Sequence, residues 1–240
     1  MTSDAHRNTS PVFSRPPRAP DCTVCPHHHV DVMGATPAGE RGALLPFFRL
    51  RRYGAHDIVH AEGDSGAHVA MVRDGLVKLA RYSASGDERI VRLAMPGDTI
   101  GLELMLGKHY HHTAIAISPV ELCLMPLHIV EDRAAHAAGF AKKLIAEWHA
   151  SVDDAERFLT ELSTGTAQQR VARLLLYLHD RAGGGNCPNI TREDMSALLG
   201  ITAETTSRVI AAFKREGYLG EDAQGRWRCA RAPLELLSQG

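Results

Sequence analysis

The feature that most constrains the fold of this chain is a change in its hydrophobic period at Pro126. From about Leu44 to Pro126, apolar and polar residues alternate in short runs, which is typical of β-strands. Turn signals such as Arg73-Asp74-Gly75 and Pro96-Gly97-Asp98 separate these runs. The candidate strands are 58–60, 69–72, 76–80, 90–94, 113–117 and 120–124. Many short strands joined by such turns predict a sandwich or a barrel.

After Pro126 the apolar residues recur with a helical period. One set of them is spaced by alternating steps of three and four residues, which forms a heptad seam. Its members are Ile145, Trp148, Val152, Ala155, Leu159 and Leu162. Charged residues flank the seam, so the pattern fits either an amphipathic helix packed on its own domain or a helix pair in a homodimer. We favour the helix pair, and we predict a long helix over 131–163.

A second helical pattern lies near the C-terminus. Thr191 is a good N-cap for a helix that ends at Leu199, and Gly200 supplies a tight turn. Thr202 caps a second helix, which we predict from Ala203 to about Glu216. Two short helices joined by a glycine-containing turn predict a helix-turn-helix, and a wing-like segment over 218–228 follows it.

The second of these helices has side chains suited to reading DNA. Glu204, Ser207 and Arg208 are spaced i, i+3 and i+4, so they share one face. In the major groove an arginine can bind guanine, a glutamate can accept a hydrogen bond from cytosine, and a serine can contact either edge. Thr205 lies on the same exposed end, and Lys214 suits a phosphate contact. The alternative is a solvated helix with an ordinary Glu–Arg pair.

Composition and charge narrow the class of protein. The 240 residues have a net charge of −1, so DNA affinity must come from a local basic patch or from two copies acting together. No apolar run reaches the roughly 18 residues of a membrane span. Met1–Pro20 has no apolar stretch for a signal peptide. We therefore expect a cytoplasmic protein that does not enter membranes.

The cysteines are few and odd in number. Two of the five, Cys22 and Cys25, form a C-x-x-C in a polar arm over residues 1–40. In a reducing cytosol such a pair indicates metal or redox chemistry rather than a structural disulfide. Cys123 lies in a candidate strand, and Cys187 and Cys229 flank the helix-turn-helix without an assigned role.

Together these patterns resemble the Crp/Fnr family of bacterial transcription regulators. The similarity covers nearly all of residues 20–237. The most specific stretches are 73–78, 96–102 and 191–208, and the last of them resembles the Fnr branch. The resemblance implies an α+β fold. Its parts are a flexible arm (1–40), an N-terminal β-roll like a cyclic-nucleotide-binding jelly roll (41–130), a dimerisation helix (131–163) and a winged helix-turn-helix (164–240).

The resemblance also implies partners and roles. In the Fnr branch an E-x-x-S-R motif reads a TTGAT half-site in an inverted repeat, which assigns base reading to Glu204, Ser207 and Arg208. Double-stranded DNA, a second copy of the chain and RNA polymerase are the implied partners. Cyclic-AMP members hold the phosphate with an arginine that corresponds here to His112. A neutral histidine cannot supply the fixed bidentate charge of arginine, so we do not expect cyclic nucleotide binding.

For the signal, the Fnr branch implies an oxygen-labile [4Fe–4S] cluster. Cys22, Cys25 and Cys123 resemble three of its four ligands, but Asp31 stands where the third N-terminal cysteine is expected. This departs from the usual thiolate set. A carboxylate or one of the histidines 27–29 can complete the site, or it can hold zinc or a single iron. The remaining alternative is no metal, with Cys123 as a core thiol.

Two further functions remain open from the residues alone. One is a regulator of the same build that senses NO or haem, or that acts without a metal. The other is a cupin-type metalloenzyme that uses the histidines of 109–112. Against the enzyme, no histidine pair has the spacing of such sites, and the C-terminal third of the chain would have no role. We therefore predict a regulator, not an enzyme.

Overall fold

The computed structural model describes residues 36, 38–184, 186–223 and 226–239. The proposed ligands Cys22, Cys25 and Asp31 lie outside these residues. The predicted change of period is confirmed, because the last strand of the β-rich part ends at Pro126 and a helix begins at Leu127. None of the described helices is both long enough and apolar enough to cross a membrane.

The β-rich part is preceded by a short helix, α1 (Ala38–Leu44). In the described chain its strands are β1 Arg49–Tyr53, β2 Ile58–His60, β3 His68–Asp74, β4 Val77–Tyr82, β5 Glu88–Ala94, β6 Thr99–Ile100, β7 Thr113–Ala116 and β8 Val120–Pro126. They form two antiparallel sheets with the orders β1-β8-β3-β6 and β2-β7-β4-β5. All six candidate strands are present, and β1 and β6 are additional.

One hydrophobic core lies between the two sheets. Val72 and Leu122 of the first sheet pack there with Val77 and Leu79 of the second. Because successive side chains of a strand point to opposite faces, Lys78 points away from this core. The fold is therefore the predicted β-roll, with one face of each sheet covered by the other.

Two helices cover the outer face of the first sheet. They are α2 (Leu127–His136) and α3 (Ala138–Arg157), and Val130 and Phe140 on them pack against that sheet. The backbone at Ala137 is extended, with φ −130° and ψ 98°, so it separates the two helices. The prediction of one helix over 131–163 is therefore wrong at its start, and its first residues belong to α2.

The end of the predicted seam also differs. A π-helical turn, Phe158–Leu162, follows α3, and it shifts the register of the side chains. Leu162 is only 1% exposed and packs in the chain's own core against α4 (Ala167–Arg181). Its assignment to the dimer seam is therefore wrong. Ile145, Trp148, Val152 and Leu159 are exposed, and Ala155 is partly exposed.

The C-terminal part continues from α4, which a Thr166–Gln169 capping box starts. It contains α5 (Arg192–Leu199), α6 (Ala203–Arg215), the hairpin β9 (Leu219–Glu221) and β10 (Trp227–Cys229), and α7 (Arg231–Gln239). The predicted winged helix-turn-helix is present. Leu76 and Leu93 of the β-roll join its hydrophobic core, so the two parts pack directly on each other.

Candidate nucleic-acid interface

Local signals set the first helix of the motif. The hydroxyl of Thr191 accepts a hydrogen bond from the backbone N–H of Asp194 at 3.0 Å, which satisfies one free donor of α5. Gly200 ends the helix in the left-handed region with φ 64°, a conformation that favours glycine. The predicted bounds of α5 are confirmed.

The second helix is capped by Thr202 and held against the first helix by the buried Thr206. Thr202 caps α6 by accepting from the backbone N–H of Thr205 at 3.1 Å. Thr206 is fully buried, and its hydroxyl lies 3.1 Å from both the carbonyl oxygen of Thr202 and the hydroxyl of Ser196 on α5. With Val209, Ile210 and Phe213 in the core, α6 is held firmly on its inner side.

The outer side of α6 presents the predicted base readers. The side chains of Glu204 and Arg208 are 82% and 71% exposed, and Ser207 is partly exposed between them. The guanidinium of Arg208 lies 3.9 Å from the carboxylate of Glu204 and 3.4 Å from the hydroxyl of Thr205. These contacts are weak and open to solvent, so the three side chains can exchange them for contacts with base edges.

The other predicted contact residues lie at opposite ends of α6. Thr202 and Thr205 lie at the first turn of α6, where a recognition helix meets the groove. Lys214 is exposed near its end, but its ammonium pairs with Glu221 of β9. The pair holds the pKa of Glu221 below its usual value. A phosphate contact by Lys214 therefore requires that it exchange or share this partner.

A buried ion cluster behind the motif had no sequence signal. The ammonium of Lys78 on β4 lies 2.6 Å from the carboxylates of both Asp194 on α5 and Glu88 on β5. Burial alone would lower the pKa of Lys78, but the hydrogen bonds and charges of the two acids raise it above its ordinary value. Lys78 thus keeps its charge, and its ion pair with Asp194 ties the β-roll to the helix-turn-helix.

A cavity of about 310 Å³ lies between the β-roll and α3. In it, Nδ1 of His112 is 3.9 Å from the carboxylate of Glu103, and the backbone N–H of His111 donates to that carboxylate at 3.3 Å. Burial would raise the pKa of Glu103, but these groups lower it to about 2. Arg92 also lines the cavity, and its guanidinium donates to the carbonyl oxygen of Thr99. The sequence analysis did not identify Arg92 as a residue of this cavity. That the protein binds no cyclic nucleotide remains a prediction.

Of the four proposed metal ligands, only Cys123 lies in the described residues. It is 5% exposed and packs among apolar side chains, which include Met71, Met125 and Phe140. Within the described ranges no three His, Cys, Asp or Glu side chains lie together as a metal site. The described residues therefore supply only one of the proposed ligands, a core thiol, which does not by itself fit an iron–sulfur cluster.

An apolar groove of about 670 Å³ runs along the exposed side of α3. Ile145, Trp148 and Val152 line it together with Met105 and Leu106 beside the β-roll. Leu159 extends the exposed stripe toward the DNA-binding part, and its side chain is 71% exposed. Apolar surface of this kind marks an interaction site on most soluble proteins.

Comparisons with known proteins agree with this architecture. Residues 50–136 match the family described as cyclic nucleotide-binding domain, and residues 169–230 match the Crp-like helix-turn-helix domain. The chain is 26% identical over 176 residues to the anaerobic regulatory protein of Haemophilus influenzae. The aligned region covers 71% of this chain and 68% of that protein.

Two further relatives are similar at the level of sequence and fold. The nitrogen fixation regulation protein FixK of Azorhizobium caulinodans is 31% identical over 157 residues, 62% of each chain. The structure of FixK2 from Bradyrhizobium japonicum matches with a TM-score of 0.72 at 27% identity, covering 80% of this chain and 97% of that one. The β-roll, the capped helix-turn-helix and these matches together show that the chain belongs to the Crp/Fnr family and is a DNA-binding transcription regulator, not an enzyme.

Proposed function

We propose that this regulator reads TTGAT-type inverted repeats as a homodimer, with Glu204, Ser207 and Arg208 as the base readers. The observation that carries the proposal is the position of these side chains on the first turns of α6, exposed on a helix whose inner side is fixed. A recognition helix presents these turns to the major groove. Lys214 and Arg215, both exposed near the end of α6, suit contacts with the phosphate backbone.

The second copy occupies the groove along α3. One recognition helix contacts too few bases for specific binding, whereas two helices related by a twofold axis match an inverted repeat. Exposed Ile145, Trp148, Val152 and Leu159, with Ala155 between them, form a stripe that two copies can bury against each other. RNA polymerase remains an expected further partner.

A gel shift tests the reading of DNA. The protein should shift a duplex carrying TTGAT and its inverted copy ATCAA, and a duplex with scrambled half-sites should bind more weakly at the same salt concentration. Arg208→Ala should reduce this preference while its circular dichroism spectrum stays unchanged. Equal binding of the wild-type protein to both duplexes would contradict the proposed site.

For the signal, we propose oxygen or redox state. The support is the similarity to the protein named anaerobic regulatory protein, together with the C-x-x-C of Cys22 and Cys25. A [4Fe–4S] cluster held by Cys22, Cys25 and Cys123, with Asp31 or a neighbouring histidine as fourth ligand, is the proposed cofactor. NO or haem sensing and regulation without a metal are the alternatives.

Iron and acid-labile sulfide analysis of anaerobically purified protein tests the cofactor. The wild-type protein should contain both, and Cys22→Ser/Cys25→Ser should contain neither while it keeps the same fold. Wild-type protein without iron and sulfide would favour regulation without a metal. Iron without sulfide would favour a mononuclear or haem site.

The described stripe carries no charged side chain among its five members. Association therefore buries no charge from the stripe itself, although Asp153 and Glu156 also line the groove, and we expect the dimer to persist in air. Size-exclusion chromatography of anaerobic and air-exposed protein measures this. A complete shift to monomer in air would show that the signal controls assembly itself.

A further inference from the structure

Two thiols that are distant in sequence meet in the DNA-binding part. Cys187 lies between α4 and α5, and Cys229 is the last residue of β10. Both are free thiols, and their Sγ atoms are 3.1 Å apart. A disulfide requires a separation of about 2.05 Å, so the two sulfurs need to approach by roughly 1 Å.

The backbone fixes this proximity. The N–H of Cys187 donates to the carbonyl oxygen of Trp227 at 2.8 Å, and the N–H of Trp227 donates back at 3.3 Å. This antiparallel bridge places Cys187 beside β10, two residues from Cys229. Trp227 is itself buried, so the bridge belongs to the core and not to a surface loop.

The two thiols differ in their access to solvent. Cys187 is 0% exposed, whereas Cys229 is partly exposed. The hydrogen bond between them, supported by burial, raises the pKa of Cys187, and the same hydrogen bond lowers the pKa of Cys229 despite its burial. Because the thiolate is the reactive form of cysteine, Cys229 is the group that reacts first with a small oxidant.

We propose that Cys187 and Cys229 form a redox modification site, which a hydroperoxide converts into an intramolecular disulfide. The thiolate of Cys229 attacks one oxygen of hydrogen peroxide, the O–O bond breaks, and hydroxide leaves to give a sulfenic acid. The sulfur of Cys187, after loss of its proton, attacks Sγ of Cys229 and expels a second hydroxide. Two thiols and one peroxide thus yield one disulfide and two waters, and two electrons pass from sulfur to the peroxide.

The two cysteines are 42 residues apart in the sequence. A disulfide between them closes a loop that contains α5, α6 and β9. Cross-linking a loop of this length restricts the unfolded chain, so the thermal midpoint of the DNA-binding part should rise on the order of 10 °C. Neither cysteine lies on α6, which carries the proposed base readers. The site is independent of the proposed cofactor and of the proposed DNA sequence.

Peptide mass spectrometry of the full chain tests the site. Cys22→Ser/Cys25→Ser removes the competing C-x-x-C and leaves three of the five cysteines, namely Cys123, Cys187 and Cys229. After treatment with equimolar hydrogen peroxide and alkylation, we expect a peptide cross-linked between Cys187 and Cys229, and one free thiol per chain. A thiol reductant should restore all three. The thermal midpoint should rise on oxidation.

Cys229→Ser in the same background is the matched control. It should form no disulfide of this kind and show no rise in the thermal midpoint. The proposal is overturned if all three thiols survive the peroxide, if Cys229 ends as a sulfinic acid without a cross-link, or if Cys123 is found in the cross-link. The peptide assignment in the parent protein stands whether or not the control variant folds.

Discussion

The two helices of the DNA-binding motif differ in what they contact. α5 faces inward, where Asp194 is 5% exposed and pairs with Lys78, itself 8% exposed, of the β-roll. α6 presents Glu204 and Arg208 almost wholly to solvent. One short motif thus separates two tasks, since α5 anchors the domain to the β-roll and α6 carries the proposed base readers. Substitutions on the inner side should change stability, and those on the outer side should change DNA affinity.

The inner side should give the largest effect. Lys78→Met leaves the carboxylate of Asp194 buried without its cation, which we expect to lower the free energy of unfolding by about 3–5 kcal/mol. Urea denaturation followed by circular dichroism measures this. Glu88 is nearer to solvent and can be hydrated, so the penalty falls mainly on Asp194.

A double variant sharpens this test. Lys78→Met/Asp194→Leu removes both charges and should recover most of the lost stability, because an apolar pair of similar volume is often as stable as a buried ion pair. A single-variant loss below about 1 kcal/mol would break the comparison, since the ion pair would then behave like an exposed one.

The exposed stripe of α3 should give the next largest effect. Trp148→Ala removes a large aromatic side chain from the proposed dimer interface, and we expect it to weaken dimerisation by about 2–4 kcal/mol. Sedimentation equilibrium measures the dimer dissociation constant. Leu236→Ala, at an exposed position on α7, is the control and should leave the constant unchanged. Equal effects of both changes would count against the α3 interface.

The outer side of α6 should give a smaller effect of a different kind. Arg208→Ala should cost about 1–3 kcal/mol of binding free energy per half-site and relax specificity at one base pair. Its free energy of unfolding should change by less than about 0.5 kcal/mol, because the side chain is exposed. Fluorescence anisotropy on TTGAT and scrambled duplexes measures the binding free energy. Urea denaturation measures the free energy of unfolding.

Arg215→Ala is the matched control for that experiment. As a proposed phosphate contact, it should weaken binding to both duplexes by a similar factor and lower the dependence on salt concentration. If Arg215→Ala lost affinity for the TTGAT duplex alone, Arg215 near the end of α6 would be a base reader rather than a phosphate contact.

The cap between the two helices should give the smallest effect. Thr202→Ala removes the oxygen that accepts from the N–H of Thr205, which we expect to cost about 1 kcal/mol of stability. Thr202→Ser keeps that oxygen and should retain most of the stability that the cap contributes. Thermal unfolding of the two variants side by side measures the difference, and identical midpoints would show that the cap contributes little.

Local features of the chain were predictable from sequence. The N-caps Thr191 and Thr202 and the turn at Gly200 were all identified, because each satisfies or bends the backbone within a few residues. The six candidate strands were found because short apolar or alternating runs stand between glycine- and aspartate-containing turns. β1 was missed because its sequence, RLRRY, is mostly charged and only two of its five residues are buried.

Contacts between distant parts were decided only by the tertiary structure. Leu162 continues the heptad spacing, but the π-helical turn places it in the core. Lys78 meets Asp194 across 116 residues, and Cys187 meets Cys229 across 42. No periodicity encodes such pairs, because they form only when separate elements close on each other. The sequence by itself therefore determined the helix-turn-helix and the β-roll, and the tertiary structure decided which side chains hold them together and which remain free to bind.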